Sequence, residues 1–196
     1  MLNSIESSGS FANSFLIAMP GMTDPTFAGA LVYVCEHNEK GAMGLVVNRP
    51  TDLSLQTLFE RIDLKLEIMP LSQAPVFYGG PVQTERGFVL HEAVGIHDDE
   101  TYSSSVQVTD RIRLTTSKDV LQAMSAGLGP QRVLITLGYA GWGGGQLEQE
   151  IAANGWLTVA ADPYVLFDLD PAERYSAAVK LLGFDPAMLS SEVGHA

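Results

Sequence analysis

The sequence predicts one α+β domain built on a mixed β-sheet. Three observations carry that expectation. The chain has 196 residues, 46% of them hydrophobic and 17% charged. That is long enough for a sizeable core and too apolar for disorder. Its clearest local signal is a hairpin of two neighbouring strands. Its helical segments fall singly among the strands, which argues against a doubly wound parallel sheet.

Taken in order, residues 14–18 read as a strand that stops at Pro20-Gly21. Residues 30–35 and 42–48 are apolar on both faces and flank the turn 38–41, so they read as a central hairpin. Pro50 is expected to stop the β run. Leu55, Leu58, Phe59 and Ile62 then repeat at helical spacing. Residues 76–78 and 87–91 read as short strands, 91–100 as a polar loop, and 104–108 and 112–115 as strands. Val120, Leu121 and Met124 mark a helix ending near Gly127. Residues 132–137 form a buried strand, and 138–145 read as a glycine-rich loop. A short helix carries Leu147 and Ile151 and closes at Asn154-Gly155; a strand follows at 156–160. The last helix has Asp170 as cap, Pro171 at its first position, Glu173 for a capping box, and Gly183 at its end. Its apolar stripe is Tyr175, Ala178, Val179 and Leu182. Residues 1–12 are read as an arm and 13–196 as the domain.

Composition narrows the function classes. The formal charge is −12, which repels a phosphate backbone at long range. Arg111, Arg113, Lys118 and Arg132 are the main basic concentration, but the helix at 120–124 leads into a strand and not into a recognition helix. Direct DNA binding is not expected. No run approaches the roughly 18 apolar residues of a membrane span. The start MLNSIESSGS lacks the basic and apolar regions of a secretory signal. Cys35 is the single cysteine, so the cytoplasm is the expected compartment.

Several blocks resemble the YqgE/AlgH family of bacterial proteins. They are residues 15–20 with Asp24-Pro25, 36–38, 41–44 with 48–50, 79–82, 87–91, 137–142, 145–148, 154–157 and 194–196. They cover the chain from Phe15 to Ala196 in order. The resemblance implies a compact cytosolic domain around a curved, partly barrel-like mixed sheet with flanking helices. Some members carry a label of transcriptional regulator. The family supplies no catalytic residues to carry over.

The candidate chemistry gathers in five places. Glu36, His37 and Asn38 leave the first hairpin strand, where they suit acid–base work, a ligand, or simply a tip held by side-chain hydrogen bonds. Gly141, Trp142, Gly143 and Gly144 precede a helix, a context for an anion or for a tight connection with Trp142 in the core. No Walker or dinucleotide motif is present, and Glu148 and Glu150 would repel a phosphate. Asn48 and Arg49 lie roughly 17 Å from His37 along the strand; Arg49 either grips an anion or locks the turn by pairing with an internal acid. Cys35 should share a face with His37 and is either a redox thiol or an inert core thiol. His91 opens a set with Glu92, His97, Asp98, Asp99 and Glu100 that lacks metal-ligand spacing. No cofactor or metal is expected. The reading is therefore an accessory or regulatory protein that binds a macromolecule or small molecule. An enzyme is the alternative, and what separates the two is whether Glu36, His37, His91 and residues 141–146 share one cleft.

Overall fold

The computed structural model describes residues 9–93, 102–183 and 185–189. The strands are β1 (Ser14–Ala18), β2 (Leu31–Asn38), β3 (Gly41–Val46), β4 (Pro50–Ser54), β5 (Pro75–Tyr78), β6 (Val82–Glu92), β7 (Ser105–Gln107), β8 (Ile112–Thr115), β9 (Val133–Gly143) and β10 (Trp156–Ala160). The helices are α1 (Leu55–Arg61), α2 (Asp119–Ser125), α3 (Gln146–Ala152), α4 (Pro163–Phe167) and α5 (Pro171–Leu181). The strands run β10-β1-β2-β3-β9-β6-β8-β7 across a sheet that curls into a half-barrel. The expected single α+β domain with a curved mixed sheet is what the chain forms.

Strand β9 organises the sheet. Its second half pairs antiparallel with β3, from Gly44↔Ala140 to Gly41↔Gly143. Its first half pairs antiparallel with β6 on one edge and parallel with β5 on the other. Strand β5 thus takes over the edge that β3 leaves. Gly79 and Gly80 stand at this fork. A Cβ on Gly79 would lie 2.2 Å from the Gly138 oxygen, and one on Gly80 would lie 2.2 Å from the Tyr139 carbonyl. Only glycine allows the backbones to approach so closely.

Four expectations about elements need correction. Pro50 does not stop the β structure but begins β4, which pairs with β5 at Pro50↔Phe77; the first residue of a strand tolerates a missing N–H. Residues 138–143 are not a loop but the second half of β9, because β3 supplies their partners and Gly138, at φ +77°, bends the strand. The connection to α3 is only Gly144-Gly145. The strand expected at 87–91 does hold His91, but it starts at Val82 and runs on through Glu92, so the loop does not begin at His91. Helix α4 went unread, although Asp162 caps it and Pro163 opens it.

Three apolar clusters hold the elements together. The first packs α4 and α5 on one side of β1, β2 and β3 through Phe15, Tyr33, Cys35, Leu166 and Val179. The second lies on the other side of that hairpin, around Leu16, Val34, Trp142, Leu147 and Trp156. The third joins α1 and α2 to β5, β6 and β9. Asp170 caps α5 as expected, accepting from the Ala172 N–H. The helix also buries Arg174, 5% exposed, which the apolar stripe does not include. Its guanidinium donates to the Val47 and Leu169 carbonyls and lies 5.0 Å from the Phe77 ring. Burial pulls its pKa down to about 10, against the opposing pull of Asp170 and Asp168.

Candidate functional site at the hairpin tip

The β2–β3 hairpin is not regular. Val34 pairs with Gly44, Glu36 with Met43 and His37 with Ala42, so Cys35 is the extra residue of a β-bulge. Directly paired residues share a face. Cys35 and Met43 pack with the first cluster, and Ala42 with the second. Glu36 therefore falls on the Met43 side and His37 on the Ala42 side. The expectation that Cys35 and His37 share a face is overturned, because the bulge shifts the alternation by one residue. Cys35 is 4% exposed. Burial, reinforced by the charge of Glu36, pushes its thiol pKa up and keeps it protonated.

His37 is held at both ring nitrogens. Nδ1 accepts the Phe11 N–H at 3.1 Å, which leaves the proton on Nε2 to be donated to Glu148 Oε1 at 2.5 Å. The Phe11 ring lies 5.0 Å from the imidazole. The His37 side chain is 6% exposed and that of Glu148 45%. Glu148 is the third residue of α3, where its own backbone N–H hydrogen-bonds the carboxylate. That bond, with the one from His37, holds the carboxyl below the usual glutamate range.

Glu150, two residues further along the same helix, ties two tryptophans together. Its Oε2 accepts from Trp142 Nε1 at 2.8 Å and from Trp156 Nε1 at 2.9 Å. Gln146 Nε2 donates to Oε1, and Gln146 Oε1 accepts the Gly143 N–H. The Phe27 ring packs on both indoles. Sequence reading noticed Glu148 and Glu150 only as helix-dipole partners. The i, i+4 pair Gln146–Glu150, which starts four residues after Trp142, was the signal available.

On the other side of the tip lies an open groove of about 660 Å³. Of the expected residues, Glu36, Asn38, Gly141 and Trp142 line it; His37 does not. Residues that sequence reading missed complete it: Phe88 and Tyr139 pack edge to face at 5.4 Å, and Arg86 lies over Phe88 at 5.7 Å. Lys40 also lines the groove. Asn38 Oδ1 accepts the Lys40 N–H and so shapes the tip. Gly143 pairs with Gly41, and Gly144 passes beside the Glu39 carbonyl, where a Cβ would lie 2.6 Å from its oxygen.

The remaining candidates lie elsewhere. Asn48 Oδ1 accepts the Leu31 N–H, while its Nδ2 donates to the Gly29 carbonyl. Among the described residues Arg49 finds no acid; its fork donates to the Thr26 carbonyl and, at 2.6 Å, to the Ala28 carbonyl. Both residues fasten the turn 26–29 onto the hairpin base. His91 is 1% exposed, with Nε2 at 2.8 Å from Thr115 Oγ1. It pairs with Val133, nine residues before Trp142 on β9, a separation of up to roughly 30 Å by strand rise. His91 does not join the tip. His97, Asp98, Asp99 and Glu100 lie outside the described residues. Among the described residues, no group of three or more His, Cys, Asp or Glu side chains is placed to hold a metal ion. Nor is any helix long and apolar enough to cross a membrane.

A half-barrel sheet with one flank closed by a short helix behind a glycine-rich hairpin defines a recognisable class of α+β protein. This chain belongs to the AlgH-like family, whose profile matches residues 15–187. A UPF0301 protein of Ralstonia nicotianae is 64% identical over 184 residues, 94% of each chain. One of Cupriavidus pinatubonensis is 62% identical over the same share. The solution structure of AlgH from Pseudomonas aeruginosa, 47% identical, superposes over 100% of both chains with a TM-score of 0.77. A Corynebacterium diphtheriae protein, 20% identical, shares the fold at a TM-score of 0.69 over 87% of this chain and 86% of its own.

Proposed function

We propose that this chain is an accessory or regulatory binding protein of the cytoplasm, taking a partner or small ligand in the hairpin-tip groove. One observation carries the reading. The polar side chains most suited to chemistry are engaged within the fold, while the groove beside them presents Tyr139, Arg86 and Lys40 over the buried Phe88. His37 has its acceptor nitrogen filled by a backbone N–H. Cys35 is a buried thiol, and Arg49 grips carbonyls. The His37–Glu148 pair is the feature an enzyme would use, but its imidazole has no free lone pair for a substrate proton.

Any effect on transcription is indirect in this reading. The −12 charge opposes DNA. Within the basic concentration, Arg132 is paired with Glu92 at 2.6 Å and with Asp168.

The test compares affinity capture from native lysate by the natural chain, Arg86→Glu and His37→Ala, with mass spectrometry of retained proteins and small molecules. Species bound in the groove are lost with Arg86→Glu and kept with His37→Ala. An unchanged retained set with Arg86→Glu, or loss with His37→Ala at unaltered stability, overturns the assignment.

A further inference from the structure

A second site stands apart from the hairpin tip, at the start of β9. It is an apolar cavity of about 710 Å³, within the range of roughly 300–1,000 Å³ common to ligand sites. Its walls come from the turn before β5 (Ile68, Met69, Leu71), from Met124 of α2, from Pro130 and from Phe167 of α4. Two of these walls are methionines, whose unbranched side chains adapt to different occupants.

Apolar side chains stand exposed along the rim of this cavity. Ile68 is 48% exposed and Met69 61%. Leu128, 81% exposed, sits between the lining residues Gly127 and Gly129. Its exposure is unusual for its place. Gly127 N–H bonds to Met124 O and Leu128 N–H to Ala123 O, the two bonds of a Schellman motif. An apolar residue at that second position ordinarily folds back on its own helix; Leu128 projects outward instead. Gly129 fixes the turn, since a Cβ there would lie 2.6 Å from Met124.

The charges around the cavity select the occupant. Arg132 is the cation in its wall, and it is engaged: Nε and one terminal nitrogen face Asp168, the other faces Glu92, and the Pro163 carbonyl accepts as well. Two carboxylates on one guanidinium leave that end negative. The adjoining segment carries Asp63 and Glu67 around Lys65, beside Ile68. Among the described residues, a carboxylate or phosphate ligand finds no unpaired cation in the cavity lining, and Lys65 beside it is flanked by the two acids. A ligand confined to the cavity would also leave Leu128 bare, since that side chain lies outside its lining.

We propose that the cavity and its rim dock a basic segment of a partner protein, anchored by a large apolar side chain. The anchor enters between Met69, Met124 and Phe167. Flanking Lys or Arg residues face Asp63, Glu67 and Asp168, and the net charge of −12 steers them inward. The site is independent of the hairpin-tip groove.

The probe is a random-peptide display library panned on the immobilised full chain, followed by affinity measurement with a synthetic peptide of the enriched sequence. Enriched sequences carry a large apolar residue flanked by Lys or Arg. Binding weakens roughly tenfold with Met69→Ser plus Leu128→Ser, weakens as salt rises, and is unchanged with Arg86→Glu. The thermal midpoint of the double variant stays at that of the natural chain, because both side chains are mostly exposed. Failure to enrich, enrichment of neutral or acidic sequences, or equal binding by the double variant overturns the proposal. Self-association that the double variant abolishes also overturns it, giving the face to a second copy.

Discussion

The hairpin-tip end and the cavity end of this half-barrel use their side chains in opposite ways. At the tip, groups that look reactive are engaged inside the molecule, His37 by Phe11 and Glu148 and Glu150 by two indoles, and at the base of the same hairpin Arg49 is held by two carbonyls. At the cavity end, groups that look like core, Ile68, Met69 and Leu128, lie in the open. The difference teaches that residue type alone is a poor guide to a site. A polar side chain satisfied by backbone is structural, and an apolar side chain left without a neighbour is a candidate surface.

The comparison breaks first at Glu150. Glu150→Ala leaves two buried indole N–H groups without their acceptor, each lost partner costing about 1–3 kcal/mol. We expect a loss of about 2–6 kcal/mol by urea unfolding, with a changed tryptophan emission in the folded state. Full stability in Glu150→Ala would show that the tip is not built on this clamp. Arg49→Ala comes next, at about 1–3 kcal/mol, because it frees the carbonyls of the turn 26–29 while leaving every groove residue in place. Limited proteolysis should then cut first within residues 21–29. A stable Arg49→Ala whose retained lysate species are lost would move Arg49 from the turn into the binding site.

Much of the fold was legible because its signals are local. The 30–48 hairpin, the 3.6-residue spacing at Leu55–Ile62 and the Asp170-Pro171 cap each follow from neighbouring residues. What failed depended on partners distant in sequence. Residues 138–143 look like a loop until β3 offers its own glycines to pair with them. His91 looks solvated until Thr115 is placed beside it. The bulge at Cys35 is invisible in the residue pattern, yet it decides which face His37 takes. Of the candidate site residues, Glu36, Asn38, Gly141 and Trp142 line one groove. Arg86 and Phe88 were missed because they reach the groove from β6, about forty residues after the hairpin. Family blocks added the overall sheet curvature but no chemistry.

The smallest effect separates the two ends by acid titration. Glu148 belongs to the tip and Asp119, at the start of α2, to the cavity end. Burial disfavours ionisation of Asp119, but hydrogen bonds from Ser117, from the Ser103 N–H and hydroxyl, and from the Val120 N–H outweigh it and lower its pKa. Glu148 is lowered by its own backbone N–H and by His37. In both, the folded carboxyl titrates below its unfolded value, so its contribution is complete above that value and is lost as the pH falls through the folded one. The window lies below about pH 4. Carboxyl carbon NMR should therefore place both groups below ordinary carboxylates. Asp119→Asn should flatten the acid limb of the stability curve more than Glu148→Gln, because four donors hold Asp119 and two hold Glu148. In His37→Ala the Glu148 resonance should move back towards the ordinary range while that of Asp119 stays put. A Glu148 that titrates normally in the natural chain, or does not respond to His37→Ala, would mean that the tip is not closed by this pair.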